Sequence, residues 1–322
     1  MATQSEKHIL VTGAAGFIGQ TIIEPLLTSD PDLHLTLTDV VEPPVPAHAS
    51  ARITSVAKDL TSPAAVEELF GPRRFDAVYI LHGLMSSRSE ANLELGLAVN
   101  VESIRGVLDF LRQKQPGTTV VFASSTAVYG PNEDAVTETG TVPLPQGSYG
   151  AEKLIIELLL NDFSRRGLLN GRIVRLPTVV VRPGKPSAAA SSFASGIVRE
   201  SLQGIPNVLP VGRDIGMWIC SPATVVKNLV TVKDIPAEKF GSSRIVNLPG
   251  ITVSVQDILD AVEEVGGKEA LACVRDEVDA EVERLVRSWS AKFDVSRAYG
   301  LGLAADGELI EAVRAFAATI KK

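Results

Sequence analysis

The sequence predicts the α/β fold class, with a doubly wound parallel sheet and a smaller C-terminal region. Three observations predict it. Short apolar strands alternate with helical segments through the first half of the chain, a glycine-rich turn follows the first strand, and an acidic residue ends the second strand. This order of features is typical of a Rossmann-type dinucleotide site, which lies at the carboxyl ends of the strands.

The turn after the first strand has the glycine spacing of a phosphate-binding site. Residues 9–11 are apolar, and Gly13, Gly16 and Gly19 follow at every third position. Gly13 permits the tight turn, Gly16 lets the backbone approach a pyrophosphate, and Gly19 lets the helix pack on the strand. The start of the next helix offers free N–H groups and a positive dipole to an anion.

The second strand, residues 33–37, leads to Asp39, twenty positions after Gly19. A dinucleotide fold places there the acid that binds the adenosine ribose hydroxyls. A carboxylate repels a 2′-phosphate, and the residues that follow, Val40, Val41 and Glu42, supply no arginine to bind one. The sequence therefore predicts NAD as the cofactor rather than NADP.

Composition excludes several classes of function. The 322 residues, 45% of them hydrophobic, suffice for a substantial core. A formal net charge of −7 argues against a nucleic acid partner. The two cysteines and four histidines lack metal-ligand spacing, so no metal site is expected. The N-terminus lacks a signal peptide core, and no apolar run approaches the roughly 20 residues that span a bilayer, so we expect a cytoplasmic protein without a membrane partner.

Two further strands, residues 53–56 and 77–81, continue the alternation. The first ends at Asp59 and Leu60, and Asp59 is interpreted equally well as a helix cap or as a residue that recognises adenine. The second leads into the segment 82–87, HGLMSS. A long helix over residues 92–114 carries Asn100, and a fifth strand, 120–123, ends in Ser124, Ser125 and Thr126. These serines therefore face the same crevice as the glycine turn.

Tyr149 and Lys153 are four residues apart at the start of a predicted helix, 148–166. This spacing puts both side chains on one helix face, although such pairs are common by chance. Six of the seven residues from 154 to 160 are apolar, all but Glu157. That band is too wide for one contact with the sheet, so we expect a second subunit to cover it. The sequence thus predicts a homodimer formed by this helix and the 92–114 helix.

The alternation of strands and helices stops after a sixth strand, residues 172–176. We therefore expect residues 1–176 to form the cofactor domain and residues 177–322 to form a smaller substrate-binding region. A late strand at 244–248 returns to the sheet, and residues 255–265 and 308–320 have helical periodicity.

The motifs together resemble the extended short-chain dehydrogenase/reductases, a family that includes nucleotide-sugar epimerases, dehydratases and several dehydrogenases. The resemblance rests on TGAAGFIG, Asp39, the Asp59-Leu60 pair, VFASSTAVYG, YGAEK and, near the C-terminus, FDVSRAYGLG. Residues 175–196 and 94–100 are similar to the D-erythronate dehydrogenase branch of this family. That likeness implies oxidation of the C2 hydroxyl of a small sugar acid with NAD.

The resemblance also implies roles for individual residues. Tyr149 is expected to be the base, with its pKa of about 10 lowered by Lys153 and by the positive nicotinamide. Ser125 would polarise the substrate oxygen, Lys153 would bind the nicotinamide ribose and pass the proton onward, and Asn100 would order that relay. The full set of expected cofactor-binding residues is Gly13, Gly16, Phe17, Ile18, Gly19, Asp39, Asp59, Leu60, Leu81, His82, Gly83, Asn100, Tyr149, Lys153, Leu176 and Pro177.

A sugar acid needs an anchor for its carboxylate, and the planar fork of arginine suits that task better than lysine. Arg182 is the first candidate and Lys185 the second. Ser191 and Ser192 are either donors to the substrate hydroxyls or plain loop residues. The other expected substrate residues are Ser86, Ser125, Thr126, Tyr149 and Thr178.

Two positions depart from the family pattern. His82 stands where the family has a small residue, and the simpler interpretation of it is a histidine hydrogen-bonded to local backbone. Ser187 stands where the D-erythronate branch has asparagine. Two alternatives to the dehydrogenase remain open, a nucleotide-sugar epimerase or dehydratase that retains its NAD, and a non-catalytic NAD-sensing regulator. Such regulators commonly lose the tyrosine or the lysine, and this chain has both.

Overall fold

The computed structural model describes residues 7–71, 73–184 and 189–320. Within those ranges the strands, in chain order, are β1 (Lys7–Thr12), β2 (Leu33–Asp39), β3 (Ile53–Ala57), β4 (Ala77–Ile80), β5 (Thr119–Ser125), β6 (Asn170–Leu176), β7 (Thr178–Val179), β8 (Asn207–Leu209), β9 (Gly216–Cys220), β10 (Ile245–Asn247), β11 (Ile251–Ser254) and β12 (Val274–Asp276).

The helices of the same ranges are α1 (Phe17–Thr21), α2 (Ile23–Ser29), α3 (Pro63–Phe70), α4 (Ser86–Ala91), α5 (Leu93–Gly96), α6 (Ser103–Lys114), α7 (Ser148–Arg165), α8 (Ser192–Arg199), α9 (Pro222–Asp234), α10 (Val255–Leu271), α11 (Ala280–Arg287), α12 (Ser296–Gly300) and α13 (Leu309–Ile320). Leu97–Glu102, between α5 and α6, is π-helical.

The central sheet has seven parallel strands in the order β10-β6-β5-β4-β1-β2-β3. The chain runs outward from β1 through β2 to β3, and then returns to place β4 on the other side of β1. The direction of winding therefore reverses between β1 and β4, where ligands of such sheets bind. This topology confirms the predicted Rossmann-type fold, and β10 confirms the predicted late strand.

Both faces of the sheet are covered by helices because the strand side chains alternate between two cores. Ile9 and Val11 pack with α2 and α9, whereas Leu10, between them, packs with α3, α6 and α7. A third apolar cluster lies between β9, α8, α10 and α13 and includes Ile197, Met217 and Val262. The two smaller sheets, β11-β9-β7 and β12-β8, lie in this C-terminal part of the chain. The expected boundary between residues 176 and 177 stays a prediction.

The predicted helix over 92–114 is α5, the π-helical stretch and α6 in succession, and Asn100 lies in the π-helical stretch. A short helix that the sequence did not predict, α4, precedes it. The helix predicted at 255–265 continues to Leu271 across a kink at Gly267, whose φ is 75°. In the described ranges no helix is long and apolar enough to cross a membrane.

Candidate active site

The glycine turn after β1 closes so tightly that its positions require glycine. Gly13 has a φ of 69°, and a Cβ there would lie 2.5 Å from the backbone nitrogen of His82. A Cβ on Gly19 would lie 2.3 Å from the carbonyl oxygen of Gly13. The first contact fixes the turn against the end of β4, and the second fixes α1 against the turn. The backbone between β1 and α1 thus stays open to a phosphate.

Asp39 ends β2 beside this turn. Its Oδ2 accepts a hydrogen bond from the backbone nitrogen of Ala15 at 3.1 Å, and its Oδ1 accepts one from Val40 at 2.8 Å. The carboxylate is thereby held at the edge of the main cavity. A carboxylate fixed there fits ribose hydroxyls and repels a 2′-phosphate, as expected for NAD.

Asp59 is not the helix cap that one interpretation assigned to it. Ser62 caps α3 by accepting from Ala65, and Asp59 accepts from the backbone nitrogen and the hydroxyl of Thr61 at 3.0 and 2.8 Å. Asp59 therefore stabilises the turn before the cap. Recognition of adenine by Asp59 and Leu60 stays a prediction, and neither residue belongs to the described wall of the main cavity.

The main cavity, of about 450 Å³, joins the glycine turn to the ends of β4, β5 and β6 and to the C-terminal region. Of the residues that the sequence assigned to cofactor or substrate, its wall contains Gly13, Gly16, Phe17, Ile18, Gly19, Asp39, Leu81, His82, Gly83, Ser86, Ser125, Thr126, Tyr149, Lys153, Leu176, Pro177, Thr178, Arg182 and Ser191. Asn100 and Ser192 are not among the described wall residues, and Lys185 and Ser187 lie outside the described residues.

The tyrosine, lysine and serine meet at this cavity. Lys153 lies one turn after Tyr149 on α7, with its Nζ 5.5 Å from the centre of the tyrosine ring. The same Nζ donates to the carbonyl of Ala123 at 3.0 Å. Ser125, at the end of β5, accepts from the backbone nitrogen of Ala127 at 3.1 Å. α7 and β5 thus bring Tyr149, Lys153 and Ser125, the three side chains expected to act together, to the same cavity.

Burial controls the acid–base properties of the pair. Burial, aided by the charge of Glu152, raises the pKa of Tyr149 to about 12, and the charge of Arg182 opposes this rise. Burial lowers the pKa of Lys153 to about 8, against the charges of Glu152 and Glu157. The net pKa of Tyr149 in the protein alone is therefore raised, because desolvation of the phenolate is the largest effect. The expected lowering of this pKa by Lys153 together with the positive nicotinamide stays a prediction.

Asn100 is buried behind the wall and holds the loop that follows β4. Its Oδ1 accepts from the backbone nitrogen of Leu84 at 2.7 Å, and its Nδ2 lies 2.6 Å from Glu152 Oε2 and 3.0 Å from Ser89 Oγ. A Cβ on Gly83 would lie 2.9 Å from Asn100 Oδ1 and 3.3 Å from Lys153 Nζ. The role of Asn100 in a proton relay stays a prediction.

Glu152 is a residue that the sequence interpretation missed. It is only 2% exposed, and its Oε1 has no hydrogen-bond partner among the described residues. The carboxylate packs against Gly96, where a Cβ would lie 2.2 Å from Oε1. A buried carboxylate that stands between Tyr149 and Lys153 in the chain raises the pKa of both. Its position next to Lys153 in YGAEK was the available signal.

His82 is held by side chains, so the interpretation that local backbone binds it is wrong. Its Nε2 lies 3.0 Å from Ser103 Oγ, and its Nδ1 lies 2.7 Å from Thr12 Oγ1. The Ser103 hydroxyl donates to the carbonyl of Val99, so we assign the proton of the ring to Nε2. Burial, aided by the charge of Lys153, lowers the pKa of His82 to about 3. The imidazole is therefore neutral near pH 7.

Arg182 reaches the cavity from a main chain that α8 holds at two points. Its backbone nitrogen donates to Ser195 Oγ at 3.1 Å, and its carbonyl accepts from Arg199 Nη1 at 2.9 Å. Burial and the charge of Arg199 lower the pKa of the guanidinium. Within the described part of the chain the guanidinium has neither a hydrogen-bond nor an ion-pair partner. This arrangement fits an anionic ligand.

Trp289 is a second wall residue that the sequence interpretation missed. It lies just after α11, far along the chain from the strand ends that it faces, and no local pattern in the sequence distinguishes it from a core tryptophan. The described residues contain no group of three or more histidine, cysteine or acidic side chains that could hold a metal ion.

Comparison with known proteins identifies relatives along most of the chain. Residues 9–234 match the NAD dependent epimerase/dehydratase family. The D-erythronate dehydrogenase of Cupriavidus necator is 40% identical over 318 residues, covering 96% of this chain and 97% of its own. The D-erythronate dehydrogenase of Haemophilus influenzae is 35% identical over 311 residues, covering 96% and 98%.

Two solved structures show the same architecture. The structure described as a nucleoside-diphosphate-sugar epimerase from Agrobacterium tumefaciens has a TM-score of 0.85 and 34% identity, covering 97% of this chain and 95% of that one. An L-threonine dehydrogenase from Cupriavidus necator has a TM-score of 0.87 at 22% identity, covering 97% and 99%, and supports the fold alone.

Proposed function

This chain belongs to the NAD-dependent epimerase/dehydratase family, and on that premise we propose that it oxidises the C2 hydroxyl of a small sugar acid. The substrate is D-erythronate or a close analogue, and the product is the 2-oxo acid. One observation carries the proposal: Tyr149, Lys153 and an arginine without a described protein partner face the same cavity. A base beside an anion anchor is what oxidation of a hydroxy acid requires.

The residues around the glycine turn fit NAD. The turn offers backbone N–H groups to a pyrophosphate, and Asp39 offers a fixed carboxylate to the adenosine ribose. Lys153 lies where it can donate to the nicotinamide ribose, beside Tyr149. When bound, NAD supplies the hydride acceptor.

Tyr149 accepts the proton of the C2 hydroxyl as the carbinol hydride departs. In the protein alone its pKa is about 12, so the cation at Lys153 and the positive charge of the oxidised cofactor must both favour the phenolate. Ser125 donates to the substrate oxygen and stabilises the negative charge that develops there. Lys153 then passes a proton onward: its ammonium releases one N–H proton and takes up the proton that Tyr149 received, so that Tyr149 returns to the phenolate.

Arg182 binds the carboxylate of the acid through its planar fork. Its main chain donates one hydrogen bond to Ser195 of α8 and accepts one from Arg199 of α8, and these two bonds fix the backbone from which the side chain extends. The distance between carboxylate and C2 hydroxyl is fixed in a 2-hydroxy acid, so a fixed arginine selects that class. The finer substrate assignments to Ser86, Thr126, Thr178, Ser191, Ser192 and Lys185 remain part of the proposal.

We also propose a homodimer through α7 and the 92–114 helix, which comprises α5, the π-helical stretch and α6. Leu158 is 62% exposed and Ile155 is 41% exposed on α7, and Leu93 on α5 is 54% exposed. A second copy of these helices would cover this apolar face. We likewise propose that the protein is cytoplasmic. We also propose that residues 1–176 form the cofactor domain and residues 177–322 form the substrate-binding region.

The direct test is NADH formation, measured at the cofactor's near-ultraviolet absorbance, with a panel of 2-hydroxy sugar acids that includes D-erythronate and threonate. We expect turnover with NAD added from solution and much less with NADP. The alternative is an epimerase or dehydratase, which the Agrobacterium relative represents. Silence with every acid, together with NAD that stays on the purified protein, would favour that alternative.

A further inference from the structure

Trp289 separates the main cavity from a second, much smaller one. The main cavity measures about 450 Å³ and includes Trp289 in its wall. The smaller void, of about 10 Å³, is bordered by the same residue and by Gly216 and Met217 of β9. Thr126 and Thr178 border both spaces. Trp289 therefore lies between the two cavities.

Hydrogen bonds on both sides hold the main chain of Trp289 in place. The backbone nitrogen of Trp289 donates to the carbonyl of Val286 at 3.1 Å. Ser288 Oγ donates to Leu285 at 2.6 Å, and Ser290 Oγ donates to the carbonyl of Gly130 at 2.8 Å. The Ser290 bond ties the loop to the segment that follows β5. These bonds fix the main chain that carries the indole.

The chemistry of the indole suits a sugar acid. Its Nε1–H has no acceptor among the described residues, so it can donate one hydrogen bond to a ligand. The face of the ring is apolar and can block a larger substrate sterically. Arg182 and Tyr149, which bind the two ends of a 2-hydroxy acid group in the proposed function, lie in the same wall. With those two ends bound, the remaining carbons of the substrate occupy the rest of this cavity, where Trp289 forms part of the wall.

We propose that Trp289 sets the chain length of the substrate and donates to its terminal hydroxyl. This inference rests on the proposed oxidation of a sugar acid. In this proposal the terminal hydroxyl of a four-carbon acid contacts the indole, and a longer acid clashes with it. One additional carbon unit in a closed pocket costs about ten- to hundredfold in specificity, which makes the effect measurable.

The test compares Trp289→Ala, Trp289→Phe and the unmodified protein on four-, five- and six-carbon aldonates with NAD. We expect Trp289→Ala to lower kcat/KM for the four-carbon acid and raise it for the six-carbon acid, each by about tenfold. Trp289→Phe should restore part of the original ranking. KM for NAD should be unchanged in both variants.

Trp218→Phe is the matched control. Of the two cavities, Trp218 borders the small one and not the described wall of the main one, and its Nε1–H donates to the carbonyl of Leu248 at 3.3 Å. Its loss should lower the melting temperature and leave the ranking of acids unchanged. An equal loss of kcat/KM with every acid in Trp289→Ala, or an unchanged ranking, would overturn the inference.

A readout without turnover separates this inference from the proposed function. Binding of the four-carbon acid should change the tryptophan emission of the unmodified protein, and Trp289→Phe should remove that change. If no acid is oxidised, the proposed function fails. An emission change that is lost in Trp289→Phe would still support contact between Trp289 and the acid. If the emission does not respond to any acid, the inference fails as well.

Discussion

Glu157 and Arg175 form an ion pair that is sealed from solvent. Arg175 Nη2 lies 2.5 Å from Glu157 Oε2, and the two side chains are 1% and 0% exposed. Ser124 donates to the same carboxylate, and Arg175 donates to the hydroxyl of Tyr129. Glu157 stands four residues after Lys153, and Ser124 stands directly before Ser125. The pair therefore fixes α7 against β5 and β6 at the site.

We expect Glu157→Gln to destabilise the protein by about 3–5 kcal/mol, because it leaves the Arg175 charge buried without a counter-ion. Denaturant unfolding measures the loss. Asp162→Asn is the matched control on the same helix, since Asp162 pairs with Arg165 and Arg166 on the exposed surface, where water screens the charges and little stability should be lost. Equal stabilities of the two variants would contradict a structural role for the buried pair.

Tyr149→Phe should lower kcat by at least about a hundredfold while the binding of NADH is retained, because only the proton acceptor is removed. Single-turnover kinetics measure the first quantity, and the fluorescence of bound NADH measures the second. Tyr299→Phe, at an exposed tyrosine of α12, is the control. Activity near that of the control would rule out Tyr149 as the base.

Glu152→Gln should shift the pH profile of oxidation to lower pH. Oxidation needs the Tyr149 phenolate, so the rate rises with pH towards the pKa of that group, and the negative charge of Glu152 raises this pKa. Removing the charge lowers the pKa of Tyr149. The pKa of Lys153 falls too, because Glu152 raises it, so the ammonium is also lost at lower pH.

We expect that shift to be about one pH unit or less, seen in kcat against pH. The charges of Arg182 and Glu157, which also act on the pair, are unchanged in this variant. Glu311→Gln, at an exposed position of α13, is the control and should keep the original profile. If the pH profile of kcat is unchanged in Glu152→Gln, then Glu152 exerts no charge effect on Tyr149.

Arg182→Lys should raise KM for the acid by about tenfold or more, because a point charge replaces a bidentate donor. KM for NAD should change little. Ser195→Ala removes one hydrogen bond from the Arg182 main chain and should raise KM for the acid by a smaller factor. Arg213→Ala, which removes an exposed pair with Asp276, is the control. If the acid binds Arg182→Lys with its original KM, its anchor lies elsewhere.

The sequence by itself determined the features that depend on local backbone and on periodicity. The glycines of the first turn, Asp39 at the end of β2, and the parallel sheet follow from φ/ψ limits and from apolar spacing. The four-residue spacing of Tyr149 and Lys153 determined that they share one helix face. These requirements act between neighbours in the chain, and so they are visible in it.

Only the tertiary structure decided which distant side chains meet. It placed Trp289 in the cavity wall. It brought His82 within hydrogen-bond distance of Thr12 and Ser103. It packed Glu152 against Asn100 and Gly96. Such partners are selected by packing and by the need to satisfy each buried polar atom. That selection depends on segments that lie many residues apart in the sequence. The raised pKa of Tyr149 likewise depends on the fold, because desolvation acts on the phenol only once the fold encloses it.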